Sequence, residues 1–181
     1  MILKEKYFYI DSIQNLNIDY IKKTKANIII KDNIKLNKDF YDFVIKCKNK
    51  LINVFISNDL KLLYRLKSNN FYISAFNKKK YLYLKRLNPQ IKIIGSAHNT
   101  REIHEKFNQG CDKIVFSRLF ETYKEGYYNV IKFNLIANRS KKKIIALGGI
   151  NNLNYKKLKI VNCIGFALLK ELKNRPGFLI R

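Results

Sequence analysis

Eight short runs rich in Ile, Val, Phe and Tyr recur along this chain at intervals of about twenty to thirty residues: KYFYI, NIIIKD, INVFISND, FYISAF, IKIIGSAHN, KIVFSRLF, KIIALGG and NCIGFALL. Near-continuous apolar runs of this length fit strands covered on both faces. Polar segments with helical spacing lie between them. In DFYDFVIKCKNKL, for example, Phe40, Phe43, Val44 and Cys47 fall on one face of a helix. NTREIHEKFNQG is the clearest helix: Asn99 or Thr100 caps its start, Glu102 lies in the first turn, Ile103 and Phe107 form an apolar pair, and Gly110 supplies the stop. Strand and helix alternating eight times predict an α/β fold, a compact (β/α)8 TIM barrel of parallel strands, with an open doubly wound sheet as the alternative.

At 181 residues the chain is short for such a barrel, so the pattern demands tight loops and trimmed helices. It is thinnest between Asn69 and Lys85. The only prolines, Pro89 and Pro176, lie outside any Gly- or Ser-rich stretch, so residues 1–181 read as a single domain. No apolar run approaches the roughly 20 residues that span a bilayer, and MILKEKYFYI has charge within its first apolar stretch and no small-residue cleavage site. The expectation is a cytoplasmic protein with no membrane partner. Cys47, Cys111 and Cys163 are an odd set without C-x-x-C spacing, which argues for reduced thiols rather than a disulfide framework or a zinc site.

The formal charge of +24 suggests an anionic partner. Yet the lysines are spread over the whole chain, together with abundant Ile, Asn and Tyr, the mixture that A- and T-rich codons produce. No specific nucleic-acid module is visible among them.

In a parallel barrel the working face forms where strands give way to the loops before helices. The residues ending each apolar run are Lys31 and Asp32, Asn58 and Asp59, Ser96 with His98, Ser117 with Arg118, Thr122 and Lys124, Gly148 and Gly149, and Gly165. Cations, small hydroxyls and glycines suit phosphate oxygens, and a carboxylate can hold a bridging magnesium ion. Each has a plainer reading. Asp59 and Asn58 can cap a helix starting at Leu60, and the glycine pair can simply turn the chain. Ser96 lacks a G-x-S-x-G setting, and His98 has no nucleophile beside it in sequence.

With these residues in view, SAHNTREIHEKFNQGCDKIVFSRLFETYKEG, IIALGGINNLN and CIGFALLKEL resemble, in order and spacing, the S-x-H loop, phosphate loop, glycine-ended strand and last strand of the thiamine phosphate synthase and thiazole tautomerase family. The likeness runs from about Ile91 to Leu172, and more thinly back to INVFISND. It implies a barrel transferase that joins an aminopyrimidine methyl diphosphate to a thiazole phosphate with Mg2+ assisting, releasing pyrophosphate. Its partners would be these small phosphorylated molecules, and a homo-oligomer is compatible with it. Lys31, Ser96 and Lys124 would act on the diphosphate, with Lys31 standing where the family has an arginine. Asn58, Thr122, Gly148, Gly149 and Gly165 would bind substrate and phosphate, and Asp59 would hold the metal.

The sequence departs from the family in places. No acid occurs in FYISAFNKKK, where the family has its second magnesium carboxylate, and Lys170 replaces a small residue. Arg118 stands where the tautomerase branch has a histidine. The alternatives are therefore a non-catalytic or divergent member that binds phosphorylated precursors, a thiazole tautomerase, or, outside the family, a basic nucleic-acid-binding protein.

Overall fold

The protein is described by a computed structural model covering residues 4–32, 34–123, 126–140, 143–169 and Leu179. The eight strands are β1 (Glu5–Ile10), β2 (Ala26–Ile30), β3 (Val54–Ser57), β4 (Asn70–Ile73), β5 (Lys92–Ala97), β6 (Lys113–Ser117), β7 (Ile144–Leu147) and β8 (Gly165–Leu168). They form a closed parallel barrel in sequence order. The last strand pairs back onto the first, with Glu5 opposite Gly165 and Phe8 opposite Leu168. Among the described residues six α-helices connect the strands: α1 (Ile18–Thr24), α2 (Lys38–Asn49), α3 (Leu60–Arg65), α4 (Tyr83–Leu87), α5 (Thr100–Asn108) and α6 (Asn129–Ser140).

Trimmed connections explain how a full barrel fits so short a chain. Helix α4 has 5 residues and α3 has 6, and a 3-10 helix at Tyr155–Ile160 crosses from β7 to β8. The weak pattern between Asn69 and Lys85 corresponds to β4 followed by an irregular connection into α4. Asx residues start five of the described α-helices: the side chains of Asn17, Asn37, Asp59, Asn99 and Asn129 each accept a hydrogen bond from a first-turn backbone N–H. Gly110, at φ +103, ends α5.

Period-two alternation divides the apolar residues into two layers. Tyr7, Tyr9, Ile29, Phe55, Tyr72, Ile94, Val115 and Ile145 fill the barrel. Phe8, Ile10, Ile28, Val54, Phe71, Ile93 and Ile114 point outward against the helices, where they meet the buried face of α2 formed by Phe40, Phe43, Val44 and Cys47. The barrel floor is polar but paired: Lys113 Nζ reaches both Glu5 oxygens at 2.6 and 2.8 Å, and Tyr7 donates to the same carboxylate at 2.6 Å. Burial, with Glu5 beside it, pushes the Tyr7 phenol far above its ordinary range.

Candidate functional site

The C-terminal ends of β2 to β7 gather most of the expected residues around one mouth. Lys31 and Asp32 follow β2, Asn58 and Asp59 follow β3, Ser96 lies near the end of β5, Thr122 lies in the loop after β6, and Gly148 and Gly149 follow β7. Lys124 and Lys170 fall outside the described residues. Gly165 requires a correction. It opens β8 opposite Glu5, at the other end of the barrel from the mouth. A Cβ there would lie 2.6 Å from the Glu5 carbonyl oxygen, so the glycine serves close strand packing and leaves the site set.

At the β2–β3 side, a hydrogen-bond network centres on Asn58, which has left-handed backbone (φ 53). Its Nδ2 donates to both Asp32 oxygens at 2.9 Å and to Ser74 Oγ at 2.7 Å. Its Oδ1 accepts from Ser74 N at 3.1 Å and from Asn77 Nδ2 at 2.8 Å. Asp59 is half-buried, and its Oδ1 accepts from Leu62 N at 2.9 Å, so the plainer reading as a helix cap is correct as far as that oxygen goes. Lys31 Nζ lies 3.5 Å from Asp11 Oδ2, an exposed pair of small energetic weight that leaves the ammonium available to an incoming anion.

Ser96 points into the barrel and is hydrogen-bonded to the Tyr72 hydroxyl, which also accepts from Tyr9 at 2.7 Å. Burial pushes the Tyr72 phenol up to about 12, so it stays neutral at the floor of the mouth. Sequence reasoning found no partner for His98, but its Nδ1 lies 2.7 Å from the hydroxyl of Ser117, buried on β6. Two further bonds fix the histidine backbone: His98 N donates to Glu102 Oε2 at 2.8 Å, and Tyr128 donates to His98 O at 2.6 Å.

Gly148 and Gly149 have φ +105 and +67. A Cβ on Gly148 would lie 2.9 Å from Arg118 Cβ, and one on Gly149 would lie 2.3 Å from Glu121 O. The pair therefore lets the loop after β6 lie directly on the end of β7, where Phe120 N donates to Gly148 O at 3.1 Å. Turning and close approach explain why both residues are glycine. The pair also has a chemical consequence. The backbone N–H groups of Gly148, Gly149 and Ile150 donate to no oxygen among the described residues, leaving three adjacent donors beside a backbone surface without side chains.

Two acids at this end, Asp11 and Asp32, received no role from sequence. Asp32 stands against Asn58, the neighbour of Asp59, but 26 residues separate it from Asn58 in sequence, so no local spacing signals the contact. Among the described residues no group of three or more His, Cys, Asp or Glu side chains forms a metal cage. Hard oxygens from one or two carboxylates are the donor chemistry magnesium takes when substrate phosphates complete its shell, so Asp59 and Asp32 suit that ion. An open polar groove also lies at the opposite end, lined in part by Lys48, Lys67, Asn69 and Asp112. Lys48 there donates to the Leu66 and Lys67 carbonyls, and Asp112 pairs with Lys85.

A family profile described as thiamine monophosphate synthase matches residues 30–172, most of the chain, from the end of β2 onward. The chain belongs to the thiamine monophosphate synthase family. Among solved structures, thiamine phosphate pyrophosphorylase from Pyrococcus furiosus is similar at a TM-score of 0.71 and 15% identity, over 93% of this chain and 87% of that one. A 3-hexulose-6-phosphate synthase is similar at 0.66 and 10% identity, over 96% and 99%. KGPDC from Streptococcus mutans is similar at 0.65 and 8%, over 95% and 90%. At these identities the likeness is one of fold. No curated protein sequence matches significantly. No helix among the described residues is long and apolar enough to cross a membrane.

Proposed function

We propose that this member of the thiamine monophosphate synthase family joins an aminopyrimidine methyl diphosphate to a thiazole phosphate. In that reaction the C–O bond to the diphosphate breaks and its electron pair leaves with pyrophosphate, while the thiazole nitrogen supplies the pair for the new C–N bond. The observation that best supports this reading is the set of three N–H groups at Gly148–Ile150 that donate to no oxygen among the described residues, at the same barrel mouth as the Asn58–Asp59 pair. The N–H groups would hold the thiazole phosphate, with Thr122 in the loop packed over them. Lys31 would hold the departing diphosphate by a charge-assisted contact. Ser96, fixed by Tyr72, would hydrogen-bond the same group.

Asp59, through its second oxygen, and Asp32 would hold magnesium. When bound, the metal neutralises charge on the leaving group. Asp32 would then supply the second carboxylate that the family has after β4, where the stretch FYISAFNKKK has no acid. No general base is required, because the attacking nitrogen carries no proton to remove.

Incubating the pure protein with both precursors and magnesium should yield thiamine phosphate and pyrophosphate in equal amounts. The absence of an acid from FYISAFNKKK favours a second reading, a divergent member that binds the precursors without joining them. Calorimetry showing tight precursor binding, together with no product at any magnesium concentration, would establish that reading instead.

The basic charge would then be compositional, with no specific nucleic-acid partner. RNA or DNA binding should be weak, indifferent to sequence, and lost steeply between low and physiological salt as counterion release dominates. A sequence-selective complex at physiological salt would overturn this view.

A further inference from the structure

Helix α5 buries a lysine. Lys106 is 1% exposed, a rare placement for an ammonium group, which burial disfavours unless its protons are hydrogen-bonded. Its Nζ donates at 2.7 Å to the carbonyls of both Ser74 and Asn77, in the irregular connection between β4 and α4. Gln109, one turn on, donates to the same Asn77 oxygen at 2.9 Å. No carboxylate among the described residues hydrogen-bonds Lys106. Strand β5 leaves room for its stem, since a Cβ on Gly95 would lie 3.0 Å from Lys106 Cδ. Ser74 and Asn77 are also the residues that grip Asn58, whose amide reaches Asp32. A continuous set of hydrogen bonds thus runs from the buried ammonium to the mouth.

We propose that Lys106 is a positioning residue: by fixing the Ser74 and Asn77 carbonyls from beneath, it holds the β4–α4 connection so that Asn58 aims at Asp32. The inference rests on the mouth being a diphosphate site, and it gives a buried cation a purpose other than stability. Burial draws the Lys106 ammonium down to about 8, and Lys78 adds to the effect, while Cys111, Glu102 and Glu105 oppose it. A folded-state value below the free one means that the protonated lysine weakens the fold at neutral pH, and that stability recovers only as pH rises through about 8 toward 10.5. Removing the charge relieves its burial cost, which offsets the loss of one donor at the Ser74 carbonyl, while the Asn77 carbonyl keeps Gln109.

Lys106→Met tests the proposal, because methionine keeps the length and drops both the charge and the donors. The variant should melt within about 4 °C of the wild type. Amide exchange at Ala75–Lys79 should nevertheless rise about tenfold while the strands keep their protection, and inorganic pyrophosphate with magnesium should bind about tenfold more weakly in calorimetry, because a displaced Asp32 loosens the hold on the metal. Adding Asn58→Ala should weaken binding little further, since both changes cut the same set of bonds. A folded Lys106→Met variant with unchanged loop exchange and unchanged affinity would overturn the proposal.

If the variant does not fold, pyrophosphate titrated into the wild type decides the matter by NMR. With magnesium present, saturation at the Lys31 and Ser96 amides should also shift the Lys106 ammonium signal, and an unmoved signal refutes the coupling. A wild type in which neither the Lys31 nor the Ser96 amide shifts refutes the diphosphate reading itself, and the loop exchange of a Lys106→Gln variant then decides the hold of the lysine on the loop.

Discussion

Asp59→Asn is expected to abolish magnesium-dependent formation of thiamine phosphate while leaving the protein as stable as the wild type. The two roles of Asp59 separate in this substitution. As a cap, its Oδ1 accepts from Leu62 N at 2.9 Å, and an asparagine oxygen does this equally well. As a metal ligand it contributes an anionic oxygen, which the amide lacks. Asp59→Ala removes both and should lower stability by about 1 kcal/mol as well. A turnover assay across magnesium concentrations, paired with thermal melts of both variants, gives the comparison. Binding of Mn2+ followed by electron paramagnetic resonance in the presence of pyrophosphate gives a readout apart from activity. It should weaken in Asp59→Asn and, to a lesser degree, in Asp32→Asn. If Asp59→Asn turns over normally, Asp59 is a cap alone and the metal assignment fails.

The contrast between Asp59 and Asp32 shows what a sequence of this kind discloses. The barrel was legible because each strand is one apolar run and each helix has its own face and cap, all of them local signals: Phe40 to Cys47 on α2, or Asn99 before α5. Positions at strand ends follow from the same runs, which is why Lys31, Asp59, Ser96 and Gly149 were found together. Contacts between loops have no such signal. The Asn58–Asp32 and Ser117–His98 pairs span 26 and 19 residues and exist only because the barrel closes. Lys106 was hidden differently. It lies three residues after Ile103 on the buried side of α5, yet reads as one more polar residue in a chain with 37 Lys and Arg. Gly165 was misplaced because NCIGFALL does not mark its own strand start. Ile164 precedes the strand, and the ladder with β1 begins at the glycine.

Gly149→Ala is expected to destabilise the barrel by about 2–5 kcal/mol, adding left-handed strain of about 1–2 kcal/mol to an overpacking cost of about 1–3 kcal/mol. Both terms come from the same atom. At φ +67 a side chain is strained wherever it points, and here the Cβ would meet Glu121 O at 2.3 Å and Phe120 C at 2.8 Å. Those neighbours are backbone, so relief requires the loop after β6 to lift away. For a chain of this size the melting temperature should fall by roughly 5–15 °C. Gly126→Ala provides the control, because Gly126 shares the left-handed backbone (φ +76) but, among the described residues, has only the end of the Arg118 side chain within reach, at 3.8 Å. It should show the strain term alone. Lifting the loop also carries Thr122 away from the Gly148–Ile150 donors, so whatever Gly149→Ala protein folds should bind phosphate more weakly than its lost stability alone would predict. Equal melting temperatures for the two alanine variants would mean that the β6 loop does not rest on the glycine pair.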